Sequence, residues 1–100
     1  MSDRGGAASE GGSGRWVPAK DVIAELAGDH MVLIHMDTNR IFELNRTGAR
    51  VWELLRDGED ADGIVQRMLE EFDVENGRLR QEVDAVLQRL EAEKLVRRDG

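Results

Sequence analysis

Residues 31–55, MVLIHMDTNRIFELNRTGARVWELL, change period part-way through, and that change decides the fold. Met31 to Met36 is a continuous apolar run, too short for a helix and rich in β-branched residues. Asp37-Thr38-Asn39 supplies turn chemistry, and Arg40-Ile41-Phe42-Glu43-Leu44 alternates with period two. Beyond Asn45 the spacing turns helical: Val51, Trp52, Leu54 and Leu55 make a broad apolar stripe that ends at Asp57-Gly58, with Asn45 or Thr47 as cap. The stretch therefore predicts a β-hairpin that feeds directly into a helix.

Working outward, Val22, Ile23 and Leu26 form a further short strand before a Gly28-Asp29 turn, with Pro18 ahead of it. On the other side, Asp60 can cap a second helix whose Ile64, Val65, Met68, Leu69 and Phe72 share one face. Asn76-Gly77 breaks the chain, and a third helix carries Leu79, Val83, Val86, Leu87 and Leu90. Leu95-Val96 and a charged tail follow. The expected architecture is α+β and winged helix-turn-helix-like: a three-stranded antiparallel sheet followed by three helices. Trp52, Phe72, Met31, Met36 and Met68 are assigned to packing.

Residues 1–15 hold five of the 11 glycines and read as a disordered tail, which leaves residues 16–97 as one domain. The chain has no cysteine, so a disulfide framework, a thiolate metal site and a cysteine nucleophile are excluded. With neither signal-peptide core nor long apolar run, a cytoplasmic protein without a membrane partner is expected.

Chemistry-bearing patterns are sparse. No phosphate-binding glycine loop, zinc-protease helix or nucleophile elbow occurs, so neither catalytic residues nor a cofactor are expected. His30 and His35 would need Asp29 or Asp37 to hold a metal; they read instead as turn or sheet-surface histidines. Nucleic acid is disfavoured as a partner by the net charge of −7. The third helix is itself balanced, Arg78, Arg80, Arg89 and Lys94 against Glu82, Asp84, Glu91 and Glu93. What remains is the edge of the strand Arg40–Leu44. Its free row of N–H and C=O groups is either a short edge guarded by Arg40 and Glu43 or a template for a partner strand.

The string Phe42-Glu43-Leu44-Asn45-Arg46-Thr47-Gly48-Ala49-Arg50-Val51-Trp52-Glu53-Leu54-Leu55, then Asp57-Gly58, resembles the PqqD-like family of RiPP precursor peptide recognition elements. That family shows an aromatic residue, Leu-Asn, Thr-Gly-Ala, then an aliphatic and Trp before Leu-Leu and a glycine. The likeness is strongest over 42–58 and extends across roughly residues 16–97. Lys94 departs from it, standing where a glycine often precedes the closing apolar pair. The turn between the last two strands looks more like the free-standing leader-binding proteins of lasso peptide clusters than like proteins of pyrroloquinoline quinone biosynthesis.

The resemblance implies a non-catalytic adaptor. A precursor leader peptide would add as a strand to Arg40, Ile41, Phe42, Glu43 and Leu44, with Val83, Val86, Leu87 and Leu90 as the facing wall. A separate processing enzyme, in lasso clusters a cysteine leader peptidase, would act on the captured peptide. The alternatives are a winged-helix nucleic-acid-binding protein, a PqqD-type chaperone serving a radical SAM enzyme, and a structural module whose edge pairs with a fixed partner.

Overall fold

The computed structural model describes residues 15–99. Strand β1 (Arg15–Pro18) precedes β2 (Val22–Ala27), β3 (His30–His35) and β4 (Arg40–Leu44); helices α1 (Arg46–Arg56), α2 (Ala61–Glu71) and α3 (Asn76–Ala92) follow, and β5 (Val96–Asp99) closes the chain. The three central strands form the expected antiparallel sheet in the order β2-β3-β4. Their register sets Leu33 between Ala24 and Phe42, and Met31 between Leu26 and Leu44. This face packs on the helices. Leu33, Phe42, Leu44 and Met31 are all buried there, together with Trp52, Leu55, Ile64 and Met68 from the helices.

The second sheet was not anticipated. β1 and β5 pair antiparallel, Trp16 opposite Arg98 and Pro18 opposite Val96, so Arg15 belongs to a strand rather than to a tail, and Pro18 lies within one. Two strands of four residues from opposite ends of the sequence leave no alternation to read, and a two-stranded ribbon tolerates proline because each strand keeps a free edge. The Arg98 guanidinium stacks 4.8 Å from the Trp16 ring centroid, and Arg98 also pairs with Glu91 at 3.2 Å. Residues 1–14 lie outside the described chain.

Both predicted caps form. Asn45 Oδ1 accepts from the Gly48 N–H at 2.9 Å and Asp60 Oδ1 from the Gly63 N–H at 2.8 Å, each satisfying a donor the first helical turn cannot. α3 begins at Asn76 itself, so Asn76-Gly77 is its first turn rather than a break, and the helix has no side-chain cap.

The helix ends are more informative. After α1, the Gly58 N–H donates to the Leu55 carbonyl and the Glu59 N–H to the Leu54 carbonyl; after α3, Lys94 and Leu95 donate in the same way to Glu91 and Leu90. Both are Schellman terminations, which need a left-handed residue after the cap. Gly58 supplies it at φ +98°, whereas Lys94 adopts φ +60° despite its side chain. The departure from the family's glycine therefore keeps the same turn, held by buried Leu95 against buried Leu90.

Met36 departs from its packing assignment, and Phe72 meets its own only in part. Met36 is 56 % exposed, because it lies past the end of β3 on the side away from the helices. Phe72 is half-buried at the end of α2, under the Arg46 guanidinium 4.8 Å from its centroid.

A left-handed non-glycine residue costs about 1–2 kcal/mol, so Lys94→Gly should raise stability by about 1 kcal/mol and Gly58→Ala lower it by a similar amount, read from urea midpoints. Trp52→Ala, which empties the largest fully buried side chain, should cost about 3–5 kcal/mol in the same measurement.

Candidate functional site

β4 is the edge of its sheet: β3 covers one side, and among the described residues no strand pairs with the other. What holds it is local. Phe42 and Leu44 point into the core, Asn45 ends the strand by capping α1, and Gly48 lets the helix close down on it. A Cβ at Gly48 would stand 3.2 Å from the Leu44 Cβ and 3.5 Å from the Asn45 Oδ1, so the Thr-Gly-Ala turn uses glycine for close approach. At the other end of the strand the Arg40 guanidinium crosses to Glu93, just past α3, at 2.8 Å and lies 4.9 Å from the Phe42 ring centroid.

Between this edge and α3 runs an open cavity of about 310 Å³. Leu44, Gly48, Val86 and Leu90 give it an apolar lining, and His30, Glu43, Asn45 and Arg89 give it polar groups. Arg89 makes no ion pair with a described residue, while Arg80 is engaged by Asp62 at 2.9 Å. α3 thus has two working faces. Leu79, Val83, Leu87 and Leu90 fill the core, and Val86, Arg89 and Leu90 turn toward the cavity.

Of the residues expected to wall a peptide groove, Glu43, Leu44, Val86 and Leu90 line this cavity. Val83 and Leu87 do not line it; they are buried in the core on the same helix. Arg40, Ile41 and Phe42 share the strand, but the Arg40 side chain is held by Glu93 and Phe42 is core. Reading α3 as a single stripe merged two faces that a helix separates by about 100° between successive residues. Of the remaining lining residues, Asn45 reads in the sequence as a helix cap, and Gly48 stands in the Thr-Gly-Ala string. His30 carries no comparable signal. His35, expected at a turn or sheet surface, is buried on the core face, opposite Val22 and Arg40. His30 is exposed and pairs with Asp29 at 3.1 Å, and among the described residues no three His, Cys, Asp or Glu side chains converge as metal ligands would.

A second cavity, of about 270 Å³, lies between the β2–β3 turn, α1 and α2. In its lining Arg50, Glu53 and Glu71 are engaged with one another. Arg50 donates to both Glu71 carboxylate oxygens at 2.7 and 2.6 Å and to Glu53 at 3.2 Å, tying α1 to α2. The Arg50 hydrogen bonds hold the Glu71 carboxyl below its ordinary range, against a smaller opposing effect of burial.

A family model described as coenzyme PQQ synthesis protein D (PqqD) matches residues 30–96. The chain belongs to the PqqD family. No curated protein matches it. Among solved structures, TbiB1 in complex with the TbiA(beta) leader peptide is 26 % identical, with 79 % of this chain and 92 % of that one covered and a TM-score of 0.75. A lasso peptide synthetase B1 complexed with its leader peptide is 19 % identical, covers 83 % and 98 % of the two chains with a TM-score of 0.76, and shares the fold. The α+β fold of this PqqD-family chain, with three antiparallel strands and then three helices, is similar to that of these solved structures, and no helix among the described residues is long and apolar enough to cross a membrane.

The Glu71 carboxylate contributes stability above its unfolded pKa and loses it as pH falls through the depressed folded value. Wild-type protein should therefore lose more stability than Arg50→Gln between pH 7 and strongly acid conditions. Because both groups are partly exposed, the difference should stay below about 1 kcal/mol in urea melts taken across that range.

Proposed function

We propose that this PqqD-family protein captures the leader segment of a ribosomally made precursor peptide as an added strand along β4 and presents it to a separate processing enzyme. The observation that carries the reading is the free edge of β4 running beside a cavity with an apolar lining on α3. An edge strand offers a peptide regularly spaced backbone donors and acceptors, and every second peptide side chain then faces the cavity. Backbone bonding gives affinity that tolerates sequence change, while Leu44, Val86 and Leu90 select an apolar or aromatic side chain and Arg89 an adjacent acidic one. TbiB1, a structural relative, is itself bound to a leader peptide.

The peptide-binding set is then the backbone of Arg40, Ile41, Phe42, Glu43 and Leu44 with the side chains of Val86, Arg89 and Leu90. Val83 and Leu87 act from beneath, by holding α3 in place. The protein is a non-catalytic, cytoplasmic adaptor, and the cleavage belongs to a cysteine leader peptidase of the lasso type. Holding the leader raises the local concentration of the attached peptide at the enzyme to the millimolar range. A second reading, a chaperone serving a radical SAM enzyme, is favoured by the family description and uses the same groove.

Fluorescence anisotropy of a labelled lasso-type leader, which the family resemblance implies carries a Tyr-x-x-Pro element, beside a scrambled peptide and a short DNA duplex, tests the capture. Saturable micromolar or tighter binding of the leader alone is expected, and Val86→Asp should weaken it at least tenfold without unfolding the protein. Proline at Ile41, Phe42 or Glu43 should cost binding in folded protein only where the lost N–H faces away from β3. Retention of full affinity by both Phe42→Pro and Glu43→Pro in folded protein would rule out strand addition.

A further inference from the structure

The groove beside β4 has an exit at its Arg40 end. Val86, Arg89 and Leu90 face the Leu44 end of the strand, and Glu93, just past α3, meets Arg40 at the other, so helix and strand run antiparallel along one gap. A strand added to β4 advances about 3.3 Å per residue, and its residues beyond Arg40 pass over the Arg40–Glu93 pair toward Lys94. The Ala19 N–H donates to the Leu95 carbonyl at 3.0 Å, which sets Lys20 and Lys94 each one residue from that bond, at the same exit.

Two observations single out these lysines. Lys94 holds φ +60°, a left-handed conformation that glycine adopts without steric cost. A Schellman turn closes without a side chain at that position, and a strained non-glycine residue points to a use for the group it carries. The second observation is charge. Segments 15–20 and 94–98 contain Arg15, Lys20, Lys94, Arg97 and Arg98 and no acidic residue, in a chain of net charge −7. Arg98 is engaged by Glu91, whereas Lys20 and Lys94 are exposed and make no ion pair with a described residue. The carboxylates next to them in the chain are Asp21 and Glu93, and Glu93 is taken by Arg40.

We propose that Lys94 and Lys20 form a second contact for the captured peptide, taking a carboxylate side chain from the segment that runs past Arg40. The assignment rests on the capture function proposed above and deepens it: apolar side chains are read beside Val86 and Leu90, and an acidic one at the exit. Nucleic acid is the other anion that lysines attract. A duplex carries a negative charge about every 1.7 Å and would lay most of them against the acidic remainder of the surface. A peptide brings one or two carboxylates to the one place that complements them.

Lys94→Gly removes the ammonium while relieving the backbone, so a loss of binding in this variant is not a loss of fold; Lys20→Ala removes the other charge. The labelled leader is extended at either end by Glu-Glu or by Gln-Gln and titrated by anisotropy against wild type and both variants, at low salt and at about 0.5 M, where the Debye length falls to a few Å. Expected is a Glu-Glu extension at one end that tightens wild-type binding about threefold to fivefold over Gln-Gln. That gain disappears in Lys94→Gly, shrinks in Lys20→Ala and is lost in high salt, while the Gln-Gln leaders bind all three proteins within twofold. No gain at either end, or an equal gain in both variants, overturns the lysine contact and leaves capture standing. A DNA duplex that wild type retains and Lys94→Gly releases overturns it in favour of nucleic acid. If wild-type protein binds no leader, the capture function fails and the contact fails with it.

Discussion

A strand at the edge of a sheet leaves a row of backbone N–H and C=O groups without protein partners, and β4 must stay straight and ordered without the help of that row. It is held from every other direction. β3 pairs with its inner edge, Phe42 and Leu44 are sunk into the core, Asn45 converts its end into the start of α1, and Arg40 is tied to the far end of α3 through Glu93. Each of these contacts leaves the outer edge open. Edge strands that are not meant to pair are usually shortened, twisted by a bulge or covered. Here the nearest cover, α3, stands off by the width of a cavity, and the gap is lined by both apolar and polar side chains.

α3 shows how one helix serves both stability and recognition. Leu79, Val83, Leu87 and Leu90 form its buried stripe, and Val86, half-buried against the core, lines the cavity beside it. Leu90 joins the two, since it is buried and also lines the cavity, and the Schellman turn that follows pins it through Leu95. Rigidity of the groove wall and stability of the core thus share residues, and little conformational entropy remains to be lost when a ligand settles.

Much of this was visible in the sequence because it is local. The hairpin, the caps at Asn45 and Asp60, and the three helical stripes are written in spacings of two to four residues. The Phe42–Gly58 string pointed to the family through residues that the structure explains one by one: Asn45 as cap, Gly48 as close approach, Trp52 as core, Gly58 as left-handed terminator. What was not visible depends on contacts between distant positions. The pairing of β1 with β5 joins the two ends of the chain and has no periodic signature over four residues. The division of α3 into two faces required knowing where the sheet edge lies, and pattern alone merged Val86 with its buried neighbours. Lys94 shows a different limit. Its residue type argues against a left-handed turn, and the surrounding leucines override it.

The β1–β5 ribbon carries a topological consequence. Arg15 and Asp99 are paired, so the described chain enters and leaves the domain at one place, on strands that run antiparallel. A unit with adjoining ends can be spliced into a surface loop of a larger protein without stretching its host, or joined at either end by a short tether without dragging the peptide edge out of reach. The fold is therefore portable between free-standing and built-in use, because the ribbon rather than the groove absorbs the junction.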